Sequence, residues 1–130
     1  MKACIYGAGA IGGWLGMALA QAGHPVSLVA RGATLAALQA DGLRLRRHDG
    51  TVAQVAVTAA ADPAALGVQD LVVVAVKAPG LPEVARAMAP LIGPDTIVLT
   101  AMNGVPWWFL AGFGGAAQGR ALASVDAGGV

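Results

Sequence analysis

Residues 3–31 read ACIYGAGAIGGWLGMALAQAGHPVSLVAR, and the way this stretch divides decides the fold. From Ala3 to Ala30 it holds no Asp, Glu, Lys or Arg. That exceeds the ~20 apolar residues a membrane-spanning helix needs, and Gly9/Gly13 and Gly12/Gly16 match the small-residue spacing of paired membrane helices. The glycines decide against a span. Gly7, Gly9, Gly12, Gly13, Gly16 and Gly23 would each cost a helix interior about 1 kcal/mol relative to alanine, and Gly23-His24-Pro25 breaks the run. A secretory leader fails as well, because only Lys2 precedes a segment too rich in glycine for its apolar core. The stretch divides instead into a strand from Lys2 to Tyr6, a turn from Gly7 to Gly13, a helix from Ala10 to Ala22 and a second strand from Val26 to Ala30. Ile11, Leu15, Ala18, Leu19 and Ala22 fall near the spacing of one helical face. The second strand shows no alternation, as a strand buried on both faces should.

Gly7-Ala8-Gly9-Ala10-Ile11-Gly12 fits G-x-G-x-x-G, a weak pattern alone in a chain with 19 glycines. Its context makes it specific, since it follows an apolar strand and opens a helix at the start of a βαβ unit. Gly7 allows the tight turn, Gly9 lets backbone approach a pyrophosphate, and Gly12 lets the helix lie close on the strand. The free N–H groups of the first helical turn then face the phosphates. The motif therefore predicts a dinucleotide-binding turn.

Which dinucleotide depends on the end of the second strand. An NAD site places an acidic residue about 20 positions beyond the motif to bind the ribose 2′-hydroxyl. No Asp or Glu occurs from Met1 to Gln39, and the strand ends Val29-Ala30-Arg31-Gly32. A guanidinium pairs with a 2′-phosphate in two-pronged fashion, whereas a carboxylate would repel it. Arg31 thus points to NADP.

Outward from this unit, the chain keeps alternating. Thr34 is placed to cap a short helix through Ala40 that Asp41-Gly42 ends. Leu43 to Arg47 and Val52 to Val57 flank an Asp49-Gly50 turn and predict an antiparallel ribbon, with Arg44 and Arg46 on its wet side. Asp62-Pro63 starts a single helical turn. Leu71 to Val76 is the most apolar segment and reads as a central parallel strand, ended by Lys77. Leu81 to Leu91 reads as a helix with Pro82 and Glu83 suited to its first turn. Thr96 to Ala101 reads as a further buried strand, ended by Asn103-Gly104, and Pro106 to Leu110 as a short helix start. From Ala111 the chain becomes glycine-rich with little periodicity. Strands alternating with helices predict a doubly wound parallel α/β sheet, Rossmann-like and incomplete at its C-terminal end, with five strand positions visible and an antiparallel ribbon after the second helix. Residues 1–110 form the dinucleotide domain and 111–130 its tail.

Composition narrows the partners. The 130 residues are 57% hydrophobic and 12% charged with a net charge of +1, so a packed core is affordable and no basic field draws nucleic acid or anionic membrane. Cys4 stands alone, which excludes a disulfide framework and a structural zinc site and fits a buried residue in a reducing cytoplasm. His24 and His48 are isolated, so no metal site is expected, and Asp126 in the tail has no catalytic role.

Lys77 and Asn103 follow two of the parallel strands and so lie on the edge where such sheets bind ligands. Position alone leaves open whether they hold substrate or are a solvated lysine and a turn-forming Asn-Gly. A resemblance adds to this. Gly7-Ala8-Gly9-Ala10-Ile11-Gly12, Val29-Ala30-Arg31, Val76-Lys77-Ala78 and Asn103-Gly104-Val105, in this order, resemble the N-terminal domain of the ketopantoate reductase (2-dehydropantoate 2-reductase) family, from Met1 to about Leu110. The resemblance implies a cytoplasmic, NADPH-dependent reductase of a small 2-oxo acid, making pantoate for pantothenate biosynthesis. It implies that Arg31 meets the 2′-phosphate and that Lys77 and Asn103 line the nicotinamide and substrate side as catalytic and cofactor-binding residues. It also implies a helical C-terminal domain, carrying the general-acid lysine, that this sequence lacks; the chain alone is then expected to be inactive. Pro106-Trp107-Trp108-Phe109 and the tail depart from the family pattern and resemble a subgroup whose substrate can differ. With no partner domain, Trp107 and Trp108 would leave an apolar patch that favours self-association. Another 2-oxo acid reductase and a non-catalytic dinucleotide sensor are the alternatives, the latter disfavoured because pure binding requires neither Lys77 nor Asn103.

Overall fold

The computed structural model describes residues 1–106 and 108–124. Five parallel strands form one sheet: β1 (Ala3–Tyr6), β2 (Val26–Val29), β5 (Thr58–Ala60), β6 (Leu71–Val74) and β7 (Ile97–Thr100). Their order is β5-β2-β1-β6-β7, and β3 (Leu43–Arg46) pairs antiparallel with β4 (Val52–Val55) as a separate ribbon. The chain lays β1, β2 and β5 outward in one direction, then returns to the other side of β1 for β6 and β7. The order therefore reverses between β1 and β6, the doubly wound arrangement expected from the alternation.

Alternation along β1 divides the core. Ile5 faces one layer with Met17, Leu28, Leu38 and Leu43, under α1 (Ala10–Gln21), α2 (Gly32–Asp41) and the ribbon. Cys4 and Tyr6 face the other layer with Val72, Val74, Val84 and Leu91, under α3 (Leu81–Ala87). Cys4 is fully buried and unoxidised, and burial pushes its thiol up to about 11. Two buried polar side chains, Ser27 and Gln69, satisfy each other, the Ser27 hydroxyl donating to Gln69 Oε1 at 3.3 Å while the Gln69 amide donates to Leu66 and Gly67 carbonyls.

α1 reaches the sheet through its glycines. Gly12, Gly13, Gly16 and Met17 are its buried residues, whereas Ile11 is 58% exposed. The apolar spacing through Ile11 and Ala18 is therefore not the packing face; the residues with no side chain come closest, and the larger ones flank them. A Cβ on Gly12 would collide with the Gly7 carbonyl oxygen and lie 2.9 Å from Ile5 Cγ2. A Cβ on Gly16 would lie 3.2 Å from Ile5 and 3.3 Å from Leu43.

Several elements differ from expectation. Thr34 does not cap α2: the helix begins at Gly32, Arg31 takes the cap position with extended backbone, and Thr34 sits inside the first turn. β5 is an extra edge strand that a three-residue Thr-Ala-Ala segment barely signals, because alanine has low strand propensity. Pro90 cannot donate to the helix ladder, so α3 stops at Ala87 and a separate 3₁₀ turn covers Ala89–Leu91. Where a short helix start was expected, residues 108–110 lie in turns, with Phe109 N–H donating to the Pro106 carbonyl and Ala111 N–H to that of Trp108. β7 is not buried: Ile97, Val98 and Leu99 are 64%, 45% and 48% exposed, because it is the sheet's outer strand and no described residue covers it. The Asp62-Pro63 turn and the Asp49-Gly50 hairpin form as expected, Asp62 accepting from Ala64 N–H and Asp49 from the Thr51 N–H and hydroxyl. Trp107 and Asp126 lie outside the described residues.

The glycine geometry has a measurable consequence. Gly12→Ala forces α1 off β1 and lowers the melting temperature by at least about 5 °C, the scale of an overpacked core site. Gly9→Ala, whose Cβ would meet nothing within 4 Å, moves it by less than about 2 °C. Thermal melts of both variants check this.

Candidate functional site

The carboxyl ends of β1, β2 and β6 surround one cleft of about 390 Å³. Tyr6, Gly7, Ala8 and Gly9 come from the end of β1, Ala30 and Arg31 from the end of β2, Val76 and Gly80 from beyond β6, and Glu83 from the first turn of α3. The cleft thus opens at the point where strand order reverses, the place at which doubly wound sheets bind ligands.

Local chemistry explains its shape. Gly7 has φ +106°, which only glycine adopts without strain, and a Cβ there would lie 2.9 Å from the Ala75 carbonyl oxygen. Gly9 then caps α1 with extended backbone, and the first helical hydrogen bond is Gly13 N–H to the Gly9 carbonyl at 2.7 Å. The N–H groups of Ala10, Ile11 and Gly12 precede that bond and have no partner within the helix. They form the positive end of the helix dipole. Open space lies where a Gly9 Cβ would stand, so the backbone is accessible to a large anionic group. A pyrophosphate fits this cradle, with Gly7, Ala8 and Gly9 lining the cleft and Ala10, Ile11 and Gly12 in the turn behind them.

Arg31 and Glu83 form an ion pair across the cleft. Arg31 stands at the cap of α2 and Glu83 in the first turn of α3, and β1 lies between their two strands, so both side chains meet over the Tyr6 end of β1. Burial raises the Tyr6 phenol above its ordinary pKa, the Arg31 guanidinium opposes that rise, and the Glu83 carboxylate adds to it. The hydrogen bond that Arg31 donates to Glu83, and then the charge of that carboxylate, hold Arg31 still more firmly in its charged form. Glu83 and Tyr6 were not singled out by sequence reading. Glu83 is the chain's sole glutamate, and it stands at this cleft; its spacing from Arg31 carries no periodic signal that would have revealed the pair.

Lys77 and Asn103 are not part of the cleft wall. Lys77 caps the 3₁₀ turn Ala78–Gly80, and both residues are exposed. Val74 and Thr100 are paired across β6 and β7, and Lys77 and Asn103 stand equally far beyond them, at the same carboxyl edge of the sheet as the cleft. No group of three or more His, Cys, Asp or Glu able to hold a metal occurs among the described residues. No helix among them is long and apolar enough to cross a membrane.

The sequence profile of the ketopantoate reductase PanE/ApbA family matches residues 3–106. The chain belongs to this family. It is 52% identical over 130 residues to a 2-dehydropantoate 2-reductase of Mesorhizobium japonicum, covering 99% of this chain and 40% of that protein. A crystal structure from Ralstonia solanacearum MolK2, provisionally named a ketopantoate reductase, superposes with a TM-score of 0.89 at 57% identity, over 98% of this chain and 39% of that one. A ternary structure of D-mandelate dehydrogenase with NADH and anilino(oxo)acetate superposes with a TM-score of 0.74 at 28% identity, over 82% of this chain and 35% of that one. This ketopantoate reductase family member therefore spans about two fifths of the length of the relatives it matches. The profile ends near Pro106, so the Gly7–Gly12 turn, Arg31, Lys77 and Asn103 all fall inside the matched region.

Proposed function

We propose that this chain is the NADPH-binding part of a reductase that converts a small 2-oxo acid, 2-dehydropantoate (ketopantoate), to its 2-hydroxy acid, pantoate. Arg31 on the wall of a phosphate-cradling cleft, in a chain of this family, is the observation that carries the reading. Residues 1–110 are the cofactor domain and 111–130 its tail. When bound, NADPH supplies the hydride. Gly7, Ala8, Gly9, Ala10, Ile11 and Gly12 hold the pyrophosphate through backbone N–H groups and the helix dipole. Arg31 grips the 2′-phosphate with two parallel N–H donors. Lys77 and Asn103, at the carboxyl edge of β6 and β7, are the catalytic residues of this half: the lysine holds the substrate carboxylate or polarises its keto oxygen, and the asparagine orients substrate or the nicotinamide amide. The product would feed pantothenate biosynthesis in the cytoplasm, where the lone, buried Cys4 stays reduced. A different 2-oxo acid is a second reading, favoured by the likeness to D-mandelate dehydrogenase with its bound oxoacetate.

The chain binds NADPH at least about tenfold more tightly than NADH, and Arg31→Ala removes most of that difference, as expected for loss of a charge-assisted bidentate contact. A fluorescence titration checks it, and equal affinities would sink the NADP reading. Incubated alone with NADPH and ketopantoate, the 130-residue chain shows no turnover at an enzymatic rate, as the resemblance implies by assigning the general-acid lysine to a C-terminal domain, the chain spanning 40% of its relative. Turnover at such a rate would overturn the view of it as half an active site.

Self-association belongs to the same reading, through the Trp107/Trp108 region together with the exposed apolar residues near it. Trp108 is half-buried, and the exposed apolar residues on either side of it in sequence include Ile97, Val98 and Leu99 on β7, Val105, and Phe109 and Phe113, whose tilted rings lie 5.4 Å apart. An exposed apolar outer strand pairs readily with another copy. In light scattering, the isolated chain forms dimers or larger species, and Val98→Lys shifts it towards monomer; a wild-type monomer at high concentration would refute this.

A further inference from the structure

We propose that Glu83 is an intramolecular competitor for Arg31, tempering the preference of the cleft for a 2′-phosphorylated dinucleotide. The inference rests on the NADP reading and deepens it. An NAD site places its carboxylate at the end of β2, next to the ribose, and this chain has no Asp or Glu from Met1 to Gln39. The fold brings a carboxylate to the same cleft from the opposite wall instead: Glu83, on α3, accepts from the Nη2 donor of Arg31. Both side chains line the cleft, and both are more than half exposed, so the pair is open to solvent and exchangeable.

Three physical consequences follow. Glu83 occupies one Nη2 donor of Arg31, so a phosphate that seeks two parallel N–H donors on that edge of the guanidinium competes with the carboxylate for it. The displaced carboxylate then remains in the cleft beside a dianion and repels it. NADH brings no charge to that spot, so its binding does not require the pair to open. Glu83 therefore acts as a positioning residue: it holds the Arg31 side chain over the cleft before ligand arrives and weakens the phosphorylated cofactor selectively.

Fluorescence titrations of NADPH and NADH against the full 130-residue chain, Glu83→Gln, Arg31→Ala and the double variant test this. Glu83→Gln tightens NADPH binding about threefold to tenfold, the range of a solvent-exposed charge contact, and changes NADH binding by less than about twofold. The gain fades as salt is raised, and it shrinks in the Arg31→Ala background. Melting temperatures match within about 2 °C, because an exposed pair contributes little to folding. An unchanged NADPH:NADH ratio in Glu83→Gln, with wild type still preferring NADPH, overturns the competitor role alone. Weakened NADH binding overturns it too, since Glu83 would then be a ribose ligand. An undiminished gain in the Arg31→Ala background shows direct repulsion without competition and also rejects it. Binding of neither cofactor by wild type overturns the NADP reading itself.

Discussion

The close approach of α1 to β1 at Gly12 is the constraint on which the other parts depend. There is no room for a methyl group between Gly12 and the Gly7 carbonyl, so the helix lies directly on the strand that precedes it. That contact sets the direction of α1 and brings its unpaired N–H groups to the carboxyl end of β1. It also seats Gly13 and Gly16 against Leu43, which docks the β3–β4 ribbon onto the same helix, and it clamps Ile5 in the core beneath. The motif glycines serve different physical ends: Gly7 for backbone conformation, Gly12 for packing, and Gly9 for the open space above the helix end.

The cleft that results has two unlike walls. The β1–α1 side offers backbone dipoles in a site that a side chain would fill. From the two sides of that strand end, Arg31 and Glu83 reach across the cleft as an ion pair, an opposed set of charges spanning the end of β1. The backbone donors are built into the helix start and cannot rearrange, whereas the ion pair is exposed and exchangeable. A rigid cradle for the part common to all dinucleotides, beside an adjustable charge at the part that distinguishes them, is a workable division between binding and selection.

The sheet is covered unevenly. β1, β2 and β6 are buried on both faces, while β7, apolar through Ile97, Val98 and Leu99, lies open. An apolar run reports that a strand prefers burial, and nothing in it reports which neighbours are present. This is why Thr96 to Ala101 read as buried although Ile97, Val98 and Leu99 are exposed. The same reasoning covers α1, where apolar spacing pointed to Ile11 and Ala18 although glycines make the contact, and Thr34, whose capping chemistry was right for a helix start that falls two residues earlier.

By itself the sequence determined the alternation of strands and helices, the glycine turn from Gly7 to Gly12, and the presence of a cation, not an acid, at the end of β2. Each of these is local: a period, a glycine spacing or a residue type at a strand end, all legible without knowing what lies across the sheet. The resemblance to the family, read in part from Val76-Lys77-Ala78 and Asn103-Gly104-Val105, was legible in the same way, and the profile match over residues 3–106 bears out the family. Only the tertiary structure decided which residues oppose one another. It set β6 beside β1 so that Glu83 came to face Arg31, left Lys77 and Asn103 on the same edge but outside the cleft wall, and put β7 at the margin. These are relations between distant segments, created by the order in which strands pair, and no spacing along the chain encodes them.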